Sequence, residues 1–208
     1  EHLRILPLDV RSDESVRRAV EAAGPIDILV NNAGVGWLNA LEGTPMDIAR
    51  DIFETNTIGT MRTMQAVLPQ FRERGSGTIV NVTSTVTVKP LPLLSVYTAS
   101  KAAVNAFTES VALELEPFGV TVRIVLPGLA PETSFGKNAF ECIDEAGGFP
   151  EPYADYTNAA VAQLRQHSGP VTRSIDVAEA VWRAATDPNC PMKFPAGADA
   201  VAAADWDA

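Results

Sequence analysis

Tyr97 and Lys101 stand four residues apart in Tyr97-Thr98-Ala99-Ser100-Lys101. A helix there would put a phenol and an ammonium on one face, within reach of a common ligand. A tyrosine of pKa near 10 is a poor base at neutral pH, and moving it three units costs about 4 kcal/mol. One cation at ~4 Å contributes about that much at an effective dielectric of 20. Lys101 is therefore expected to lower the Tyr97 pKa and fit it for general acid/base work. Ser84, thirteen residues upstream, could donate to an oxygen on which negative charge develops. Taken singly these residues also read as a surface helix pair and as one hydroxyl among Thr83 and Thr85.

The elements that must position them alternate β-rich runs with helical patterns, the signature of βαβ units around a parallel sheet. Leu3 to Leu8 reads as a strand ending in Asp9. Ser12 caps a helix to Ala23, which Gly24-Pro25 stops. A strand over Ile26–Val30 ends in the turn Asn31-Asn32-Ala33-Gly34. Thr44 as N-cap and Pro45 as first residue open a long helix to about Arg74, with Gly59 and Pro69 as its weak points. Strands are expected over Thr78–Val82 and Val120–Leu126, the latter buried on both faces, with a loop over 85–95 and a helix over Val96–Glu116 between them. Residues 127–175 read as irregular chain, and 129–175 as a lid over a substrate. A helix over Asp176–Thr186 and a short strand over Met192–Phe194 follow. No linker divides the chain, so 1–208 reads as one domain.

In an open parallel sheet, ligands bind beyond the carboxyl ends of the strands. Asn31 to Gly34, Ser84 and Pro127-Gly128 all follow strands at that one rim, and Asn56 lies in the helix after the first of these turns. A net charge of −10 argues against a nucleic-acid partner, because phosphate binding needs clustered Lys and Arg. No stretch approaches the ~20 apolar residues of a membrane span, and Glu1-His2-Leu3-Arg4 does not look like a secretory leader, so a cytoplasmic address is expected. Cys142 and Cys190 lack Cys-x-x-Cys spacing, and the histidines stand apart at positions 2 and 167; neither a zinc site nor a disulfide framework is indicated.

Asn31-Asn32-Ala33-Gly34, Asn56-Thr57-Ile58-Gly59, Ser84, Tyr97-Thr98-Ala99-Ser100-Lys101 and Pro127-Gly128, in that order, resemble the short-chain dehydrogenase/reductases along the whole chain. Leu8-Asp9-Val10 is similar to that family's strand-end Asp. The resemblance implies an α/β fold, a doubly wound Rossmann-like parallel sheet in three αβα layers. It also implies an NAD(P)-dependent oxidoreductase that interconverts a secondary alcohol and a ketone or aldehyde. On the same ground Tyr97 is the acid/base, Lys101 lowers its pKa and holds the nicotinamide ribose, and Ser84 donates to the substrate oxygen. Asn56 helps hold a water that links Lys101 to solvent. Asp9 with Val10 would hold the adenine, Asn31, Ala33 and Gly34 would let the backbone approach the cofactor, and Pro127-Gly128 would flank the nicotinamide, which the cofactor's own chemistry makes the hydride carrier. NAD and NADP stay open, as do homodimer and homotetramer through the helices 45–74 and 96–116.

The tail Asp187-Pro188-Asn189-Cys190-Pro191 with Phe194-Pro195-Ala196-Gly197-Ala198-Asp199-Ala200 resembles the branch of retinol and 17β-hydroxysteroid dehydrogenases. A sizeable apolar alcohol or ketone is the implied substrate, with Trp37, Leu91, Leu93, Leu94 and Phe135 as wall residues or ordinary core. Asn56 alone could be a local helix polar residue and Asp9 a turn former. The rival class is a catalytically silent member of the family acting as a binding or scaffold subunit; the retained Asn56, Ser84, Tyr97 and Lys101 argue against it. Three departures stand out. The family's Gly after the serine is missing from Thr85-Val86-Thr87, and Glu132 holds the place of a phosphate-contacting Thr, with Thr133 one residue later. The first βαβ portion, with its Gly-rich pyrophosphate turn, is missing too. Without it the Leu3–Leu8 strand would be orphaned and the strand from Ile26 would expose an apolar edge. The 208 residues are thus expected to be part of a longer protein; the intact mass of the natural protein should exceed 22.2 kDa, and a mass near that value would sink the expectation.

Overall fold

A computed structural model describes residues 3–145, 147–166 and 168–203. The expectations for His2, His167 and the Cys142 side chain lie outside the described residues, while Cys190 is a buried free thiol. Parallel strands need crossover connections, and helices supply them here. Strands β1 (Ile28–Asn31), β2 (Gly77–Val82), β3 (Val120–Pro127) and β4 (Lys193–Ala196) run parallel in the order β1-β2-β3-β4. Between or after them come α1 (Asp13–Ala23), α2 (Met46–Phe53), α3 (Gly59–Arg74), α4 (Ser95–Leu115), α5 (Ser134–Glu145), α6 (Ala154–Arg165), α7 (Ser174–Thr186) and α8 (Ala198–Ala203). The sheet is the middle layer of a Rossmann-like α/β fold. Helices α3 and α4 cover one face, with α1 against α3, and α7 covers the other.

Side chains of a strand alternate between faces, and the core divides accordingly. Ile79, Val120 and Val122 pack under α3 and α4 with Met64, Val67, Phe71 and Leu115. Val80 and Val125 face α7 with Ala180, Ala184, Cys190 and Ala196. Among the described residues no helix is long and apolar enough to cross a membrane.

Four local expectations are corrected. Leu3–Leu8 is not a strand: it joins no sheet, and its Leu3, Ile5 and Leu8 side chains stand largely in solvent, with no layer to bury them. Thr44 does not cap the long helix. Its hydroxyl donates to Ala40 O at 3.0 Å and accepts the Trp37 indole N–H at 2.9 Å, while Pro45 takes the cap position. The long helix is also interrupted where no Gly or Pro stands, by a π turn over Glu54–Ile58; Pro69 lies inside α3 without ending it. Finally, residues 127–175 are not irregular throughout, since α5 and α6 lie within them. Their apolar positions Ile143 and Ala160 bury against Leu38, Ala40 and Leu93. β1 is an edge strand with Ile28 and Val30 partly exposed, as the sequence implied.

A row of polar groups crosses the apolar core. Thr63 Oγ1 donates to Asn31 Oδ1 (2.6 Å), Asn31 Nδ2 to its register partner Asn81 Oδ1 (2.9 Å), and Asn81 Nδ2 to Thr108 Oγ1 (2.9 Å). Each member is buried and has a partner, so the row fixes the β1–β2 register and ties both strands to α3 and α4. Replacing Asn81 by Leu would leave the Asn31 amide N–H without its acceptor and Thr108 Oγ1 without its donor. Asn81→Leu should lower unfolding free energy by about 2–4 kcal/mol in urea titrations, and an unchanged midpoint would show that the row holds nothing.

Candidate active site

Helix α4 brings Tyr97 and Lys101 to the rim. Its entry is set by Leu93, whose φ of 65° lies in the left-handed region and whose carbonyl accepts the Asn39 N–H at 2.8 Å. A leucine held there costs of order 1–3 kcal/mol, a strain that surrounding contacts must impose. From Ser95 onward Tyr97 and Lys101 occupy one helix face, both buried. Lys101 Nζ donates to Val82 O at 3.0 Å, at the end of β2. Two residues on, Ser84 caps a short 3-10 turn, accepting from Val86 N at 3.3 Å, and its side chain lies near enough to the Tyr97 phenol to pull its pKa down. Thr83 N–H bonds Val125 O at 2.8 Å, which sets the Pro127-Gly128 end of β3 beside this corner.

Asn31 to Gly34 end β1 at the same rim. The Asn31 side chain turns inward to Asn81, so only its backbone faces this edge's ligand side. A Cβ on Gly34 would stand 3.2 Å from both Asn56 Oδ1 and Lys101 Nζ, a tight contact that glycine avoids where the chain passes the ammonium. The π turn aims Asn56 here. Its amide accepts from Val35 N (2.8 Å) and donates to Val35 O (2.9 Å) and Ser100 Oγ (3.0 Å). Thr57 Oγ1 donates to Ser100 O at 3.0 Å. The widened turn therefore locks the post-β1 loop to the residue beside Lys101. π turns inside helices frequently mark functional sites.

Burial dominates the electrostatics. It pushes the Tyr97 phenol up to about 12, against an opposing pull from the Ser84 side chain. Burial also lowers Lys101 to about 8. The downward pull on Tyr97 expected from Lys101 thus does not set the direction in the free protein; desolvation does. Phe135 of α5 covers the phenol, with ring centroids 5.4 Å apart and planes tilted by 55°. Of the five wall residues, Phe135 is the one in ring contact with Tyr97. Trp37 instead is core, packed with Ile52 and Val96, and Leu93 and Leu94 join the cluster beneath α5 and α6.

Asp9 lies at the outer end of the rim and forms the turn into α1: its Oδ1 accepts from Arg11 N at 2.9 Å. Arg62 of α3 docks this segment, donating to Val10 O (2.6 Å) and Glu54 (2.8 Å) and pairing with Asp13. Arg62 carries no motif that would have singled it out. Thr133 turns back to donate to Ala130 O at 2.9 Å. Thr172 and Asp199, both unforeseen, contact the peptide units that follow Pro127 at the end of β3.

The residues present fit a nicotinamide nucleotide. Lys101 Nζ has three N–H donors, of which Val82 O takes one; donors of this kind suit a ribose diol. The bare backbone at Gly34 keeps a side chain from crowding that ammonium.

Residues 1–142 match the short chain dehydrogenase family. The uncharacterized oxidoreductase YusZ of Bacillus subtilis is 31% identical over 199 residues, covering 94% of this chain and 71% of its own. Bovine retinol dehydrogenase 8 is 41% identical over 128 residues, 61% of this chain and 41% of its own. A short-chain dehydrogenase of Streptomyces avermitilis superposes with a TM-score of 0.78 at 33% identity, over 95% of this chain and 72% of that one. A closed form of serine dehydrogenase complexed with NADP+ gives 0.75 at 29%, over 91% and 73%.

The two shifted groups have opposite signatures in the free protein. Lys101 is depressed from 10.5 to about 8, so the unfolded chain binds the extra proton between those values and stability rises with pH across that window. Tyr97 is raised from 10.0 to about 12, so stability falls with pH between them. Lys101→Met should abolish the rise. Urea midpoints of the wild type at pH 8 and pH 10 should differ in that direction, and a variant with the same difference would show that burial of Lys101 is not the cause.

Proposed function

The chain belongs to the short-chain dehydrogenase family and is an oxidoreductase, and from that premise we propose that it interconverts a secondary alcohol with a ketone, or a primary alcohol with an aldehyde, with Tyr97 as general acid/base. The observation that carries the reading is the buried corner where the Tyr97 phenol meets Ser84 while Lys101, on the same helix face, stands against Gly34. When bound, NAD or NADP supplies the hydride donor or acceptor and, oxidised, a positive charge.

In carbonyl reduction a neutral donor is required, and burial keeps Tyr97 as the phenol. Its O–H protonates the substrate oxygen while Ser84 donates to the same oxygen, where negative charge grows. Alcohol oxidation needs the phenolate. The Lys101 ammonium favours it, and exclusion of water by Phe135 strengthens that attraction. Lys101 also holds the ribose. Asn56 keeps the loop after β1 and the turn at Ser100 in place, and so the ammonium between them; a water near it would relay protons to solvent. Asp9 and Val10 would meet the adenine. The backbone of Asn31, Ala33 and Gly34 would carry the cofactor's middle, and Pro127 and Gly128 the nicotinamide.

An apolar substrate suits the Phe135 ring, which the 129–175 lid brings beside Tyr97. That a relative is a retinol dehydrogenase is consistent with this class. Exposed Leu113 and Phe118 at the end of α4 support pairing of α3 and α4 with a second copy.

A panel of alcohols and ketones with both nicotinamides, followed at 340 nm, tests the reading and separates it from a scaffold role. Tyr97→Phe should lower kcat by about 10²–10⁴-fold while cofactor affinity stays within a few-fold. Substantial residual turnover would remove Tyr97 from its role.

A further inference from the structure

A second buried polar corner lies behind the Pro127-Gly128 turn. Thr172, fully buried, accepts from Gly128 N at 3.0 Å. Its single hydroxyl proton is directed to Asp199 Oδ1 (2.6 Å) or Ala196 O (2.9 Å). Asp199 Oδ2 accepts from Leu129 N at 2.6 Å. The backbone closes the knot, with Thr172 N donating to Leu129 O at 2.8 Å. Space there is so tight that a Cβ on Gly128 would stand 2.1 Å from Asp199 Oδ2, and one on Gly197, whose φ is 99°, 2.1 Å from Thr172 Oγ1. Two glycines are thus required for one threonine and one aspartate to reach the same peptide units.

The placement has two effects. Residues 129 and 172 begin and end the excursion that carries α5 and α6, so the knot ties both roots of that excursion together. The same bonds also hold the Gly128 and Leu129 amides at the end of β3, next to the Thr83–Val125 junction and Ser84. We infer that Thr172 and Asp199 are positioning residues, whose bonds to the Gly128 and Leu129 amides fix the nicotinamide wall and the base of the substrate lid as one unit. The inference rests on the oxidoreductase reading for the word nicotinamide, but the knot itself can be tested without it.

Amide hydrogen exchange on the free protein is the direct test. Thr172→Val and Asp199→Ala should accelerate exchange at Gly128 and Leu129 by about tenfold or more while β2 and α4 keep their rates. Thr172→Ser and Asp199→Asn, which keep an acceptor in place, should restore most of the protection. In turnover the first two variants should raise KM for the nicotinamide about tenfold and lower kcat, with the conservative pair near wild type. Unchanged exchange at 128 and 129 would overturn the inference, as would acceleration spread evenly over the sheet, or local acceleration with cofactor KM and kcat both unmoved. A wild type that turns over no alcohol or ketone with either nicotinamide would instead overturn the oxidoreductase reading, and the exchange rates would still decide whether the knot exists.

Discussion

One hydrogen bond organises the rim: the Lys101 ammonium to the Val82 carbonyl. A buried cation is costly unless a polar group meets it, and here the group belongs to the last residue of β2. The bond therefore fixes α4 relative to the strand end, and with it the distance from Tyr97 to Ser84 two residues farther along. Every other device at the site serves the same junction. Asn56 and Thr57 hold Ser100, Gly34 removes the side chain that would crowd the ammonium, and Leu93 takes a strained backbone so that the helix can start where it does.

Desolvation has two faces in this corner. It keeps the phenol protonated and makes the ammonium easier to lose, so the free protein is poised as a proton donor and not as a base. The direction of the shift on Tyr97 is thus set by the protein's own burial of the phenol, with Phe135 over it. Coulomb attraction between Tyr97 and Lys101 would by itself point the other way, but it leaves out the cost of taking both groups from water. Burial sets the direction, opposed by the Ser84 side chain, and four residues of spacing carry no information about burial.

Much of the candidate site was legible because polar groups at strand ends leave local traces. Tyr97 and Lys101 share a helix turn, and Ser84, Asn31–Gly34 and Pro127-Gly128 each follow a β-rich run. What was hidden depends on pairing between distant segments. Thr172 and Asp199 reach Gly128 and Leu129 from 44 and 70 residues away; Thr172 sits in no pattern, and the tail motif that includes Asp199 does not say what it touches. Leu3–Leu8 has strand composition and no strand partner, which shows that β propensity expresses itself only where an edge is on offer. Helices α5 and α6 were concealed by frequent Gly, Pro and polar residues, yet Ile143 and Ala160 find enough apolar surface on the loops below to hold them.

The π turn at Glu54–Ile58 constrains how this segment can change length. A helix advances by about 100° per residue, so one deletion or insertion between Met46 and Asn56 would swing the Asn56 amide off Val35 and Ser100. Exposed positions such as Met46 can change in type without touching that geometry. The stretch is therefore permissive to substitution on its outer face and rigid in its residue count, like a ruler whose markings can be repainted but whose length cannot be cut.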